Sequence, residues 1–452
     1  MLLFAVIAMA AGCSPGDDSA SGDDSTASDS VVHETTTTTE APFGDPDGTD
    51  PLPPLPDEVA LPIVFVHGFA GSAQQYESQA MRFVANGYPQ ERIIAYDHDG
   101  AGLDIDGYVA GLSEVVDDAL ARFDVEQVYL VGHSRGTSVS NRFLGDPAQA
   151  EKVAKYVAID GQPCPDIVPC TAPTQAQFPG QSHVEVATSP ESFAMQYEFL
   201  VGEAPEVVDI VAQRDPVEIS GRAVNFPANT GRQATLEIWA VDDGTGARVG
   251  AEPHASFELG PDGEFGPVEL ETGAHYEYAL STPASPVTHH LYLQPYLRSS
   301  DLVRLLSSPP DGSTRAQTNV GDDHAALIVI RMREWHANGD ADVLELSVDG
   351  GEAVNAITDF VGNGAIGLHL HDDAATPGVS TLGPLPFFAD QPFQSGIDVY
   401  LAASPDGSGT ITVTNLPRGD RSDPQVLNVP NWPSSTHSIS VIFTDWPVDS
   451  AG

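Results

Sequence analysis

The clearest candidate for catalysis in this sequence is a serine that two glycines flank in the pattern G-x-S-x-G. The pattern consists of Gly132, His133, Ser134, Arg135 and Gly136. An apolar run with strand character, QVYLVG, leads into it, and a helical pattern follows it. The two glycines permit the sharp strand-to-helix turn that lifts a serine hydroxyl out at the top of a sheet. The spacing therefore predicts a nucleophile elbow, with Ser134 as the nucleophile of an acyl-transfer reaction.

A serine nucleophile of this kind needs an acid and a histidine, which follow it in the chain in that order. His183 is the only histidine between Ser134 and the strand-rich half that begins near residue 214, and we predict that it is the base. Two candidates for the acid stay open. Asp160, at the end of the strand pattern YVAID, is favoured because the chain from 170 to 182 contains no acid, and Asp166 comes next.

Two backbone N–H groups are expected to hold the oxyanion that develops during acyl transfer. One belongs to Arg135, the residue after the nucleophile. The other belongs to Phe69, in the loop HGFAGS that follows the first apolar run, LPIVFV. His67 and His133 flank these two groups, and we interpret them as structural or pocket-lining side chains.

Alternating strands and helices must position these residues between 59 and 213. The apolar runs LPIVFV, RIIAYD, QVYLVG and YVAID indicate strands of a parallel sheet, and the segments between them have helical spacing. From residue 214 onward, short alternating strands with Gly, Asp and Pro turns take over. The predicted fold is a parallel α/β sheet with helices on both faces, then a small β-sandwich module at 214–283 and an all-β sandwich or barrel domain at 284–452.

The amino terminus has the pattern of an export signal. Leu2 to Ala11 form a short apolar run, too short to span a membrane, and the predicted signal peptide, residues 1–13, ends in the sequence AAGC at Cys13. This ending resembles a lipobox, the bacterial lipoprotein cleavage site at which the cysteine is acylated. We therefore predict lipidation of Cys13 and attachment to the cell-surface membrane, with a plain secretory signal as the alternative. Residues 14–58, rich in Asp, Ser, Thr and Pro, are predicted to be a disordered acidic tether.

The two other cysteines, Cys164 and Cys170, are six residues apart and are flanked by prolines. They fit a local disulfide in an oxidising compartment. The histidines at 289–290, 369 and 371 lack the cysteine or carboxylate neighbours of a metal site. We therefore predict no metal, and nothing in the sequence indicates a redox or nucleotide cofactor.

The charge balance excludes several classes of partner. The chain of 452 residues has 65 Asp and Glu against 18 Lys and Arg, which gives a formal net charge of −47. The basic surface that nucleic-acid binding requires is missing, and electrostatic docking on anionic lipid is equally disfavoured. Any contact of the folded domains with lipid is therefore expected to be apolar and local.

The segments HGFAGS, QYESQAMRF, GHSRG and HVEVATSPESF occur in the order found in α/β-hydrolase lipases, and the chain resembles that family. More narrowly, it resembles the archaeal-type lipases that append a carboxy-terminal β-barrel for lipid binding. The resemblance implies an α/β-hydrolase fold and long-chain acyl esters as substrates. It also implies a triad acid after the strand that follows the elbow strand, which corresponds to Asp160. The chain departs from the family in the short connection from 161 to 182, where a lid would lie.

We therefore expect a carboxylic ester hydrolase of the lipase type that acts on ester or lipid substrates through Ser134, His183 and Asp160. Within enzymes, the alternative is a polyester depolymerase or a short-chain esterase. From another class, the alternative is a non-catalytic surface-binding protein on a hydrolase scaffold. That alternative is disfavoured because the nucleophile, the base and both oxyanion loops are present. The oligomeric state is left open.

Overall fold

The structure, a computed structural model, describes residues 52–283, 285–308, 313–339, 341–362, 364–418, 421 and 424–444. The predicted signal peptide with Cys13, and the predicted tether up to residue 51, lie outside the described residues. The described residues belong to one compact unit. Among them, no helix combines the length and the apolar character needed to cross a membrane.

A parallel sheet forms the scaffold of the first domain. Its strands are β1 Ile63–Val66, β2 Ile93–Tyr96, β3 Val128–His133, β4 Val153–Ile159 and β5 Cys170–Thr171. They are arranged in the order β2-β1-β3-β4-β5. All residues of β1 and β3 are buried, because these central strands are covered on both faces. This double burial explains why their sequences are continuously apolar instead of alternating.

Helices cover both faces of this sheet, as the sequence predicted. The α-helices of the described chain are α1 Glu77–Ala85, α2 Ile105–Phe123, α3 Arg135–Leu144, α4 Pro147–Ala150, α5 Glu185–Thr188, α6 Pro190–Val201 and α7 Ser313–Gln317. Phe65 of β1 packs in one core with residues of α1 and α6. Val64 and Val66 of the same strand pack in the opposite core with residues of α2 and α3. The alternation of side chains along β1 thus divides them between two helix layers.

The rest of the chain is built of β-sheets. Its strands are β6 Val217–Asn225, β7 Thr230–Gly231, β8 Thr235–Ala240, β9 Ala255–Glu258, β10 Glu264–Leu270, β11 Tyr276–Thr282, β12 Ser285–Leu293, β13 Ser300–Ser307, β14 Leu327–Arg331, β15 Val343–Val348, β16 Val354–Asn355, β17 Gly367–His371, β18 Gln394–Asp398, β19 Thr410–Leu416, β20 Gln425–Pro430 and β21 His437–Phe443. Eight of them form one mixed sheet in the order β18-β17-β14-β21-β12-β11-β8-β9. Two four-stranded sheets accompany it, one of β10, β6 and β13 with β7 attached, and one in the order β16-β15-β19-β20.

The eight-stranded sheet contributes to two hydrophobic cores. Leu236, Tyr278 and Leu291, from β8, β11 and β12, share a core with residues of β6, β10 and β13. Leu368 and Val441, from β17 and β21, share a second core with residues of β15, β19 and β20. The large sheet is therefore common to two packed layers of strands.

β11 and β12, which lie on either side of the predicted domain boundary between residues 283 and 284, are neighbouring strands of one sheet. β11 and β12 pair antiparallel, with Tyr278 opposite Leu291, and both lie in the interior of the eight-stranded sheet. The two β-regions therefore share a sheet across this point.

Candidate active site

Ser134 lies at the turn between β3 and α3, where the sequence predicted the nucleophile elbow. Its backbone has φ 53° and ψ −120°, a conformation that costs a non-glycine residue on the order of 1–3 kcal/mol. A Cβ at Gly136 would lie 2.0 Å from the carbonyl oxygen of Val66, and one at Gly132 would lie 2.9 Å from Oγ of Ser140. Close packing of β1, β3 and α3 therefore requires both glycines and holds the serine in its strained turn.

His183 and Asp160 are in direct contact. Nδ1 of His183 lies 2.6 Å from Oδ2 of Asp160, and Oδ1 of Asp160 accepts the N–H of Gln175 at 3.1 Å. Asp160 directly follows β4, and its own N–H donates to the carbonyl oxygen of Pro173 at 2.8 Å. Within the described chain, no hydrogen bond joins His183 to Asp166, the alternative acid. The geometry therefore favours Asp160 as the partner of the histidine.

The surroundings of Asp160 favour its ionised form. Burial raises the pKa of Asp160, but the hydrogen bonds from His183 and from the N–H of Gln175 outweigh burial, so its pKa lies below its usual value. An ionised carboxylate at Nδ1 favours a proton on that nitrogen, which leaves a lone pair on Nε2 of His183. Nε2 is the atom that would take the proton of a serine hydroxyl. Ser134 and His183 line the same pocket.

His133 supports the loop between β5 and α5 that carries His183, the His183 loop. Its Nε2 lies 3.0 Å from the carbonyl oxygen of His183, and its Nδ1 lies 2.5 Å from Nε2 of Gln75. The two imidazole rings are 4.6 Å apart. Burial and the neighbouring His183 lower the pKa of His133 to about 3. The neutral ring therefore donates to the backbone of the base and accepts from Gln75.

The loop after β1 lies against the nucleophile. A Cβ at Gly68 would be 3.0 Å from Cβ of Ser134. Phe69, the next residue in the chain, therefore lies beside the serine. In the part of the chain that the structure describes, the backbone N–H groups of Phe69 and Arg135 donate no hydrogen bond. The guanidinium of Arg135 covers the Phe69 ring at 5.3 Å and donates to the carbonyl oxygen of Asp99 at 2.7 Å. These contacts hold the two candidate oxyanion donors on adjacent backbone segments.

Asn229, in the turn between β6 and β7, holds this loop from the β-half of the chain. Its Nδ2 donates to the carbonyl oxygens of Gly71 at 2.8 Å and of His98 at 2.9 Å, and lies 3.4 Å from Nε2 of His67. His67 and His98 stack with their ring centres 3.9 Å apart. No pattern in the sequence pointed to Asn229, because an asparagine in a hairpin turn indicates only the turn.

Glu334 lies in the loop after β14, within the C-terminal region, by which we mean the described residues from 285 onward. From there it holds the His183 loop. Its Oε1 accepts the N–H of Val184 at 2.6 Å, and its Oε2 accepts the N–H of Glu185 at 3.2 Å and the hydroxyl of Ser182. Glu334 is only 2% exposed. Glu334 could not be predicted from the sequence either, since nothing near it in the chain links it to a histidine about 150 positions earlier.

Charged side chains extend this contact between the His183 loop and the C-terminal region. Glu185 pairs with Arg333 at 2.7 Å and also with Arg418. Arg418 in turn pairs with Asp342 at 3.0 Å, and Asp342 pairs with the fully buried Arg331 at 2.9 Å. Burial raises the pKa of Asp342, but Arg331 and Arg418 outweigh burial and lower it to about 2. The His183 loop is therefore fixed by a continuous ionic network.

The pocket that contains Ser134 and His183 extends along the eight-stranded sheet. β12, β14, β17, β18 and β21 all contribute lining residues. Ile328 of β14 is paired with His369 of β17 and with Ser440 of β21, and all three line the pocket. The sheet face opposite to Leu368 and Val441 thus forms part of the wall. The C-terminal region, predicted as a lipid- or substrate-binding domain, contributes directly to the candidate active site.

The predicted disulfide between Cys164 and Cys170 is present, with the two Cα atoms 5.7 Å apart. It closes the loop between β4 and β5, beyond Asp160. Among the described residues, no group of three or more His, Cys, Asp or Glu side chains is arranged to hold a metal ion.

Family models match three consecutive parts of the chain. The model of the alpha/beta hydrolase fold matches residues 62–192, and the model of the lipase C-terminal domain matches residues 215–310. A third model, described as a C-terminal domain, matches residues 313–447. The first match covers the parallel sheet, the elbow and His183. The first domain has the α/β-hydrolase fold. The second match supports a lipase- or esterase-like organisation of the hydrolase and its β-region.

Curated relatives of the hydrolase domain include a non-heme chloroperoxidase of Burkholderia pyrrocinia, 35% identical over 112 residues, with coverage of 23% of this chain and 33% of the relative. A non-heme haloperoxidase of Rhodococcus erythropolis is 34% identical over 110 residues, with coverage of 23% and 37%. The chain therefore spans about a third of the length of these relatives.

Solved structures similar to the hydrolase domain include an extracellular alpha/beta-hydrolase from a Paenibacillus species, with 20% identity and a TM-score of 0.18 over 23% of this chain and 42% of the other. Epoxide hydrolase A from Mycobacterium thermoresistibile has 23% identity and a TM-score of 0.19 over 23% of this chain and 33% of the other.

Proposed function

We propose that the protein is a serine carboxylester hydrolase of the lipase type. The observation that carries the proposal is the contact between Nδ1 of His183 and Asp160 at 2.6 Å, in a pocket shared with a serine on a strained elbow. This combination supports an activated nucleophile, because the carboxylate orients the imidazole and stabilises its charged form.

In the proposed reaction, Ser134 attacks the ester carbonyl while Nε2 of His183 takes the hydroxyl proton. Asp160 remains ionised and stabilises the imidazolium. The N–H groups of Phe69 and Arg135 hold the oxyanion of the tetrahedral intermediate. His183 then returns the proton to the leaving alcohol, which departs as the acyl-serine ester forms. Water, activated by the same histidine, releases the acid and regenerates the serine.

A Ser134→Ala variant tests this proposal. Hydrolysis of p-nitrophenyl esters should fall at least about a thousandfold, and covalent labelling by a serine-directed phosphonate should disappear. Ser138→Ala, on the same helix α3, is the matched control and should retain both activities. Undiminished ester hydrolysis by Ser134→Ala would show that the serine is not the nucleophile.

The substrate class within ester hydrolysis is a further part of the proposal. The lipase C-terminal domain match supports a lipase, and the resemblance noted in the sequence supports long acyl chains. A series of p-nitrophenyl and glyceryl esters of increasing chain length separates a lipase from a short-chain esterase. Release of soluble products from a suspended aliphatic polyester film would instead favour a depolymerase.

The curated relatives support a second candidate, since they are named non-heme chloroperoxidases and share 31–35% identity over 104–112 residues. If hydrogen peroxide in place of water attacks the acyl-serine, the products are a peracid and the free serine, and the peracid can then oxidise a halide. Halide-dependent chlorination of monochlorodimedone with peroxide and acetate, lost in Ser134→Ala, would favour this candidate.

We also propose that the protein is exported and held at a membrane by acylation of Cys13, with no nucleic-acid partner. The AAGC ending and the acidic, Ser/Thr-rich segment after it support this proposal. Metabolic labelling with a fatty-acid analogue should mark the wild-type protein and not Cys13→Ala. Release of unlabelled wild-type protein into the medium would indicate a plain secretory signal.

A further inference from the structure

The active-site pocket has the opposite charge balance to the rest of the molecule. The chain carries 65 acidic residues against 18 Lys and Arg. No Asp or Glu of the described chain lines the pocket, whereas two arginines, Arg232 and Arg315, do. Asp160 lies behind His183 and does not line the pocket. The pocket is therefore a cationic region in a strongly anionic protein.

Arg232 follows β7 and is a buried cation whose described partners are neutral. Arg232 is only 6% exposed. Nη1 donates to the carbonyl oxygen of Ser308 at 2.8 Å. No Asp or Glu of the described chain forms an ion pair with it. Burial lowers the pKa of the guanidinium, which remains charged because its usual pKa is far above neutrality.

Arg315, on α7, likewise meets only neutral acceptors. Nη2 donates to the carbonyl oxygen of Ser434 at 2.7 Å, and Nη1 donates to the carbonyl oxygen of His437 and to Oγ of Ser438, both at 3.2 Å. These contacts fix the guanidinium against β21 and against Ser438, a pocket-lining residue. Among the described acidic residues, none pairs with Arg315.

The charges of Arg232 and Arg315 both affect His289, a residue of the pocket wall. His289 of β12 is paired with Ser438 of β21, and its Nε2 lies 2.8 Å from Oγ of Ser440. Burial lowers the pKa of His289 to about 3, and the charges of Arg232 and Arg315 contribute to that shift. The two guanidinium groups are therefore close enough to influence one buried imidazole. That imidazole is neutral and supplies no negative charge to compensate them.

A buried charge without an opposite charge is costly, and a bound anion offsets that cost through charge-assisted hydrogen bonds. We propose that Arg232 and Arg315 form an anion-binding subsite of the active-site pocket, and that the substrate is an ester carrying a carboxylate or phosphate group away from the scissile bond. This inference rests on the proposed ester hydrolysis at Ser134. Ile328 and Ile330, which line the pocket on β14, suit an apolar segment between the ester and the anionic group.

The test compares p-nitrophenyl esters that share an eight-carbon acyl chain and differ only at its far end. The neutral ester is p-nitrophenyl octanoate, and the two anionic esters carry a terminal carboxylate (mono-p-nitrophenyl suberate) or a terminal phosphate (p-nitrophenyl 8-phosphonooxyoctanoate). All assays use one ionic strength, because the net charge of −47 repels anions and salt screens that repulsion. Wild-type kcat/KM should be higher for at least one anionic ester than for the neutral one, and the preferred ester identifies the group.

Arg232→Gln and Arg315→Gln should each lower the ratio of anionic to neutral kcat/KM about tenfold, as expected for loss of one charge-assisted hydrogen bond. Arg232→Lys should restore part of the ratio. Arg122→Gln, which removes an exposed arginine at the end of α2, is the charge-matched control and should leave the ratio unchanged.

Inhibition of the wild-type enzyme tests the subsite without any variant. Suberate or inorganic phosphate should compete with the neutral ester, whereas suberamide, the neutral analogue of suberate, should not. Equal kcat/KM for neutral and anionic esters, together with no inhibition by either anion, would overturn the subsite and leave ester hydrolysis standing. Failure of the wild type to hydrolyse any of the esters would instead overturn the proposed function.

Discussion

Oε1 of Glu334 accepts a hydrogen bond from the backbone N–H of Val184 at 2.6 Å, one residue beyond His183. The other oxygen of the same carboxylate accepts the N–H of Glu185 and the hydroxyl of Ser182. One side chain of the C-terminal region thus takes hydrogen bonds from residues on both sides of the candidate base. The position of His183 is therefore set by two parts of the chain that lie far apart in sequence.

Replacement of Glu334 by Gln should lower kcat about tenfold or more while KM changes little, because an amide cannot accept on both of its terminal atoms. Labelling of Ser134 by a phosphonate should slow in proportion, since that reaction also needs a correctly placed His183. The matched control is Glu345→Gln, an exposed glutamate of β15. Normal kcat in a folded Glu334→Gln variant would contradict the positioning role.

Removal of residues 313–452 should abolish hydrolysis of short and long esters alike. The truncation removes Glu334, and it also removes β14, β17, β18 and β21 from the eight-stranded sheet, which exposes the edge of β12. A detachable lipid-binding module would behave differently, because short-ester hydrolysis would survive its loss. The measurement is kcat/KM for p-nitrophenyl acetate and palmitate, with circular dichroism as the test of folding.

Asp160→Asn should lower kcat by as much as about 10⁴-fold, because an amide at Nδ1 disfavours the tautomer that the base requires. Asp166→Asn should change kcat less than about twofold, since no hydrogen bond of the described chain links Asp166 to His183. Steady-state kinetics of both variants with one p-nitrophenyl ester distinguishes the two acids. Loss of activity in Asp166→Asn alone would reverse the assignment.

Asn229→Ala should lower kcat/KM about tenfold by releasing the loop that carries Phe69, an effect smaller than the loss of an oxyanion donor itself. A boronate analogue of the tetrahedral intermediate should bind more weakly by the same factor. Asn225→Ala is the matched control, since Asn225 contacts Thr230 and Gly231 in the same turn and does not reach that loop. Unchanged boronate affinity in Asn229→Ala would separate Asn229 from the oxyanion site.

Glu77 of α1 provides a prediction about stability and pH. It is fully buried, and the hydroxyl of Tyr296 donates to its Oε1 at 2.7 Å. Burial raises the pKa of Glu77 from its usual 4.5 to about 7, against the opposing effects of Tyr296 and Arg304. The folded state therefore binds a proton that the unfolded state releases, so this carboxyl makes the protein less stable as pH rises from about 4.5 to about 7.

The Glu77→Gln variant should consequently gain stability relative to the wild type across that pH range, by up to about 3 kcal/mol. Urea unfolding at pH 5 and at pH 8 measures the difference, and the exposed Glu91→Gln serves as the control. A constant difference between the variant and the wild type at both pH values would mean that Glu77 is ionised in the folded protein throughout.

Local patterns in the sequence were sufficient to predict the first domain. The continuous apolar runs predicted the buried strands β1 and β3, and the glycines around Ser134 predicted the elbow, since both are consequences of neighbouring residues. The prediction favoured Asp160 over Asp166 but left both open. The contact of Asp160 with His183 required the fold, because β4 and the His183 loop meet only when the sheet forms.

The sequence by itself determined the candidate nucleophile and the candidate base, the parallel sheet, the disulfide partners and the strand-rich nature of the second half. These features depend on residue types and short spacings. Only the tertiary structure decided that the two β-regions share one sheet and that Asn229 and Glu334 hold the two loops of the candidate active site. It also decided that two arginines, and no Asp or Glu of the described residues, line the pocket. The reason is physical: pairing between distant strands, and burial of a charge beside a distant backbone, leave no periodic pattern in the local sequence.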